Sequence, residues 1–444
     1  MIRVPRPPAP DPREEFSEDE IRACVAYAKP RQRWGLAALA ARLGLLAVLA
    51  VSPPGRRAVA GLAGLAGDAV PARAVLTLAV VVVAEALVLL PFGLRAWRQD
   101  ARAGLSTQGL AGFLGDWAKA RAIGLVLTVV PLAALVLAAR ARPPGFPLSA
   151  ALVAVVLVVA LSLLGPVVIE PLFNRFVSLP VGRLRSRVLE TAAGMGVPVR
   201  DVLVADASRR TTRVNAYVSG LGRTRRVVVY DTLLRPPHFP APRRERPQQP
   251  GGASLPPPRS EAKPDNSPAG SRRSAAAVEA ERAAEDEVLM VLAHELAHVR
   301  HRDVTLGTAG AAAASGAAVL AADRLLGVPA VAKVFGVTGL GDPRAGAGLL
   351  FLASLAGLLA SPVASLVSRW SEARADWTAL EVARDPETAV AMERRLALDN
   401  RADLRPNRLL VALFWSHPPT MARIAQARLW ATATAGGQEG MVGH

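Results

Sequence analysis

Leu148-Ser-Ala-Ala-Leu-Val-Ala-Val-Val-Leu-Val-Val-Ala-Leu-Ser-Leu-Leu-Gly-Pro-Val-Val168 carries no charged side chain from end to end. At about 1.5 Å of rise per residue, a helix over this stretch crosses the ~30 Å hydrocarbon core of a bilayer. Two more windows, Ala74 to Leu90 and Ala122 to Ala139, are almost as free of charge. Trp34 to Ser52 is a weaker fourth, diluted by Arg42, and Asp303 to Ala322 and Ala345 to Val367 complete six expected spans. Val59 to Val70 is apolar but short and carries Asp68, so it reads as an interfacial or loop segment. The first apolar run follows some thirty polar residues and has no small-residue cleavage site, so it is expected to stay as an anchor. Glu85 is costly in lipid and is expected to face a polar interior, paired with an arginine or wetted by water.

Composition agrees with a membrane protein. The chain has 444 residues, of which 51% are hydrophobic, and its mean hydropathy is positive, +0.28. Arginine outnumbers lysine 49 to 4, a bias that points to a GC-rich bacterial genome. The net charge of +17 is expected to meet anionic lipid rather than nucleic acid. The single cysteine, Cys24, cannot form an internal disulfide or a thiolate metal site, and it reads as a free surface thiol.

Loop charge gives a topology. Arg95, Arg98, Arg102, Lys119 and Arg121 crowd one linker, while the loops on either side are poorer in basic residues. The richer loop is expected on the cytoplasmic side, and an even number of spans puts the N-terminus, the polar region Glu170 to Arg302 and the C-terminal part there too. The chain then divides into an N-terminal segment 1–32, membrane helices over 33–169, a polar module over 170–302, a helix pair over 303–368 and a C-terminal helical part 369–444.

Within the module, Val181 to Gly194 reads as a helix, and Val202 to Ala205, Val214 to Val218 and Arg226 to Tyr230 read as short strands. The last two strands are joined by a turn bearing Gly220 and Gly222. From Pro236 to about Ser274 the chain is nearly devoid of apolar residues and is expected to be a disordered insert.

After the insert, Glu285 to Val299 reads as a helix whose acidic residues Glu285, Asp286 and Glu287 suit its first turn. It contains His294-Glu-Leu-Ala-His298. Residues four apart share a helix face, so the two imidazoles can converge on one cation while Glu295 reaches a water beside it. A catalytic zinc needs a third protein ligand and an open position. His301 lies about 10 Å along the axis from His294, too far to share the ion with it. The best source is Ser368-Arg-Trp-Ser-Glu-Ala-Arg-Ala-Asp376, which two adjacent spans return to the same membrane face. There Glu372 can bind the metal, and Asp376, four residues on, can accept a hydrogen bond from a ligand histidine.

These motifs come in an order that resembles the type I CAAX prenyl protease family of integral-membrane zinc metalloproteases, from Leu90 to about Arg428. They are Gly104-Leu-Ser-Thr-Gln108, Glu170-Pro-Leu-Phe-Asn-Arg-Phe176, Asn215-Ala-Tyr217 leading to Tyr230-Asp-Thr-Leu-Leu234, the His294 motif, Ser368 to Asp376, and Ser416-His-Pro-Pro419. Ala297 and Val299 depart from the glycine and tryptophan common in that family. The resemblance implies a mainly α, polytopic membrane bundle of six or seven spans around a hydrated chamber, with a small cytoplasmic α+β metallopeptidase module. It also implies one zinc ion with Glu372 as third ligand, a cleft strand bearing Asn215 and Tyr217 that pairs with substrate, and His417 as donor to the oxyanion.

The expected activity is zinc-dependent endoproteolysis in a bacterial cytoplasmic membrane, with the site facing the cytoplasm and peptide or protein clients, membrane-associated ones included. Two alternatives stand beside CAAX-like processing. One is a quality-control protease of the same chemistry. The other is a non-catalytic scaffold or transporter, which the complete set of catalytic positions disfavours.

Overall fold

The computed structural model describes residues 7–220, 222, 225–234 and 275–439. The Pro236 to Ser274 insert lies outside them. Six helices are long and apolar enough to cross a membrane, in the positions the sequence indicates. They are α1 (Glu18–Val51), α3 (Val70–Arg102), α4 (Leu110–Ala141), α5 (Phe146–Leu164), α9 (Asp303–Gly327) and α11 (Gly346–Ala383). A five-residue π turn and the short α6 (Glu170–Phe173) continue α5. Side chains such as Val153, Val156, Leu359 and Val363 are 58–71% exposed. So much apolar surface is tolerable only when lipid covers it.

Four of these helices outrun the bilayer. α1, with 34 residues, is about 51 Å long and α11, with 38, about 57 Å. The excess is polar: the start of α1, the end of α3, the start of α4 and the end of α11. All of it contacts one module at one end of the bundle. Tyr27 of α1 and Asp100 of α3 hydrogen-bond each other, and Arg213 of the module reaches both. The N-terminal segment is therefore helical from Glu18, where Ser17 and Glu20 form a capping box. Cys24 is not a surface thiol: α1 packs its first turns on the module, and Cys24 is fully buried with Sγ 3.9 Å from the carbonyl of Ala397.

The other end of the bundle is closed by two short helices, α2 (Pro53–Leu65) and α10 (Pro329–Phe335). The 13 residues of α2 make about 20 Å, too short to span. Arg56 of α2 donates to the carbonyls of Lys333 and Val334 at 2.7 and 3.1 Å. Gly55 is obligatory where α2 folds back on α1, because a Cβ there would lie 2.0 Å from the carbonyl oxygen of Val48. Inside the bundle, Glu85 takes the first of its two expected fates and pairs with Arg42 of α1 at 2.8 Å.

The module is built on a four-stranded sheet of order β1-β2-β4-β3, with β1 (Phe176–Ser178), β2 (Asp201–Ala205), β3 (Ala216–Ser219) and β4 (Arg226–Tyr230). β2 and β4 run parallel and the other neighbours antiparallel, so β3 is an edge strand. α7 (Arg183–Gly194), α8 (Ala275–Arg300), α12 (Pro386–Asp399) and α14 (Thr420–Glu439) complete it, with α13 (Arg408–Phe414) against α11. Val188, Val202, Val227, Val288, Leu292, Leu296, Ala375 and Ile424 form its dry core.

α8 starts ten residues before the expected helix. Its Ala- and Glu-rich lead propagates helix, so Glu285, Asp286 and Glu287 sit mid-helix, away from the helix dipole. They serve instead as ion-pair anchors: Glu285 to Arg183 (3.2 Å), Asp286 to Arg187 (2.6 Å) and Glu287 to Arg395 (2.9 Å).

Candidate metal centre

α8 and α11 pack side by side, and their polar ends bring His294, His298 and Glu372 together. The Nε2 atoms of the two histidines are 3.1 Å apart. Glu372 Oε2 lies 3.3 Å from His294 Nε2, and Oε1 lies 3.4 Å from His298 Nε2. A tetrahedral zinc with bonds near 2.0–2.1 Å holds its ligand atoms about 3.3 Å apart, so this triangle has the size the ion requires. Glu372 Oε2 is buried, facing His294 Nε2 at 3.3 Å and His417 Nδ1 at 2.8 Å.

Each histidine is oriented from behind. His294 Nδ1 is 2.8 Å from Asp376 Oδ1, the contact expected from the sequence. His298 Nδ1 is 2.8 Å from Asp303 Oδ2. Carboxylates in these places fix the Nδ1–H tautomer and leave each Nε2 lone pair for a metal. Both carboxylates are themselves held. Arg374 pairs with Asp303. Arg423 of α14 donates from Nε to Asp376 Oδ2 at 2.8 Å and from Nη1 reaches Glu393 Oε1 of α12 at 2.7 Å.

The sequence reading missed Asp303, Arg374, Glu393 and Arg423. Asp303 had a usable signal, an acid in the first turn of the helix that follows the histidine helix, reached through Arg302 in a left-handed conformation (φ 60°). Arg423 and Glu393 had none, because their partners are distant in sequence.

The centre attracts positive charge. Burial opposes protonation of both imidazoles, but Asp376 and Glu372 outweigh it and push His294 up to about 10, while Asp303 and Glu372 push His298 up to about 9. Burial raises the carboxyl of Glu295 against the pull of the two histidines.

A cavity of about 350 Å³ opens onto the triangle, and Asn215, Glu295, Trp415 and His417 line it. His417 Nδ1 lies 2.8 Å from Glu372 Oε2, and its side chain is 67% exposed. Arg369 fixes the segment that carries it by donating to the carbonyls of Val411 and Trp415 at 2.6 and 2.8 Å. Tyr217 is not brought to this cavity. It lies 3.3 Å from Glu170 through its hydroxyl and meets Tyr230 edge-on. His301 is no ligand, since its Nε2 is 2.9 Å from Thr378 Oγ1.

A model of peptidase family M48 matches residues 178–431, and one described as "CAAX prenyl protease N-terminal, five membrane helices" matches residues 3–175. That second stretch holds four long apolar helices and the short α2. The chain is 28% identical over 264 residues to an uncharacterized metalloprotease YhfN of Bacillus subtilis, covering 59% of this chain and 51% of that protein. It is 43% identical over 70 residues to a CAAX prenyl protease 1 homolog of Oryza sativa subsp. japonica, 16% of each chain. The chain thus spans about half the length of the first of these relatives and about a sixth of the second. The crystal structure of S. mikatae Ste24p shares its fold, with a TM-score of 0.72 at 17% identity over 95% of this chain and 91% of that one.

Proposed function

The chain belongs to peptidase family M48, and on that premise we propose that it is a membrane-embedded zinc endopeptidase. The observation that carries the reading is the triangle of His294, His298 and Glu372, of tetrahedral size, beside Glu295 and an open cavity. When bound there, one zinc ion supplies Lewis acidity, lowering the pKa of water and polarising the scissile carbonyl.

The chain's own groups do the rest. Asp376 and Asp303 hold the two histidines in register. Glu295 takes a proton from the attacking water and returns it to the leaving amine. His417, whose Nδ1 faces Glu372, is placed to donate from Nε2 to the oxyanion when the ring carries both protons. The edge strand β3 begins at Ala216, which lines the cavity together with Asn215, and an extended peptide can add to it by main-chain hydrogen bonds, which bind without strict sequence choice. Tyr217 then supports that strand through Glu170 rather than touching substrate.

We read the interior of the bundle as hydrated, in keeping with the Arg42–Glu85 pair at membrane depth. The basic linker at the module's end of the bundle supports a bacterial cytoplasmic membrane with the site facing the cytoplasm. CAAX-like clients are the first to try: a prenylated peptide, its unprenylated twin and an unfolded membrane protein would rank the substrate classes. The founding test is zinc content and peptide cleavage on detergent-purified wild type and Glu295→Gln. One zinc per chain in both with cleavage only in wild type is the expected result; no zinc, or equal cleavage, returns the protein to the scaffold reading.

A further inference from the structure

A second cavity, of about 310 Å³, lies between α1 and α3 at the module's end of the bundle, lined by Pro30, Pro91, Arg95, Arg98, Gln99 and Arg102. Its origin is in the sequence. Pro30 and Pro91 sit inside the two helices and line the cavity, and each removes a backbone donor from its helix. The walls are nevertheless fixed. Arg31 Nη1 donates to the carbonyl of Ala96 at 3.0 Å, and Gln99 Nε2 to that of Tyr27 at 2.6 Å.

The charge in this cavity is uncompensated. Asp100, the nearby carboxylate, is engaged by Tyr27, Arg31 and Arg213. Among the described residues, Arg95, Arg98 and Arg102 have no carboxylate partner, and Arg95 only stacks over Trp34, 4.2 Å from its ring centre. Three exposed guanidinium groups at spacings of three and four share one face of α3. The same stripe continues toward the membrane interior as Pro91, Leu87 and Val83, with Leu87 58% and Val83 45% exposed. Trp34, 39% exposed and tilted against Phe92, marks the head-group level where the two halves meet. The stripe is thus cationic above that level and apolar below it.

We propose that this stripe seats an anionic phospholipid, its phosphate in the arginine cavity and an acyl chain along Leu87 and Val83. The charge, the depth and the apolar track match that amphiphile together, whereas a free phosphate would use only the first.

The test is native mass spectrometry of the full chain in detergent, titrated separately with phosphatidylglycerol, phosphatidylcholine and inorganic phosphate. Wild type is expected to hold phosphatidylglycerol at least tenfold more tightly than either of the others. Each neutralised arginine should weaken that binding about fivefold, so Arg98→Gln/Arg102→Gln loses about 25-fold, while Arg57→Gln/Arg324→Gln at the opposite end loses nothing. Zinc content equal to wild type certifies the fold of the double variant; if it falls short, Arg98→Gln alone carries the fivefold expectation. Equal binding of the two lipids, phosphate binding as tight as phosphatidylglycerol, or unchanged lipid affinity in the Arg98 variants would overturn the proposal.

Discussion

The two halves of this molecule are held by opposite means. In the bundle, large apolar side chains face outward and few polar groups meet, so lipid is part of what stabilises it. In the module the apolar core is dry, and the buried polar groups beside the cleft form two short chains, His298–Asp303–Arg374 and His294–Asp376–Arg423–Glu393. The outward face of the bundle tolerates any side chain that is apolar and of roughly suitable size. The module depends on particular atoms. The proposed metal site, which depends on distances held to tenths of an ångström, lies at the end of the bundle, where α8 and α11 meet in the module.

That contrast can be broken at graded positions. Glu295→Gln should cut turnover about a thousandfold or more while zinc stays at one per chain, read by peptide cleavage and metal analysis. Arg423→Met should destabilise the module by about 3–5 kcal/mol, because it leaves Asp376 and Glu393 buried without their cation; denaturant or thermal unfolding in detergent measures it, and a neutral result would show that water reaches the network. Asp303→Asn should weaken zinc binding by about 10–100-fold with less loss of stability, since it loosens the His298 ring while the amide oxygen can still accept from Arg374; competition with a chelator is the readout. At the other extreme, Leu359→Ile on the outward face of α11 should change stability by no more than about 0.5 kcal/mol. If Leu359→Ile matched Arg423→Met in effect, the contrast between the halves would be wrong.

What was legible in the sequence follows the same division. Six spans and the His294, His298 and Glu372 triangle were readable because each rests on a local pattern, a charge-free window or a spacing along one helix, with Glu372 placed by the two spans that return it. Helix ends were less legible. α1 runs back to Glu18 because polar residues that end a hydropathy window do not end a helix, and so Cys24 is buried under the module where composition alone suggests a surface thiol. The acids at the start of the expected histidine helix proved to be mid-helix anchors for the arginines of α7 and α12, which pattern alone does not show. Arg423 was invisible for the plainest reason: its partner Asp376 lies 47 positions away and the arginine belongs to no motif.

The position of Arg423 also has a meaning in time. It sits on α14, the last helix described, and it is the cation that compensates Asp376 behind the first metal histidine. A ribosome making this chain from its N-terminus releases both histidines and Glu372 well before that arginine, so the centre lacks this cation until α14 has emerged. On the proposed function, the histidines are made first and the cation that steadies them last, and the docking of α14 is the step that joins the two.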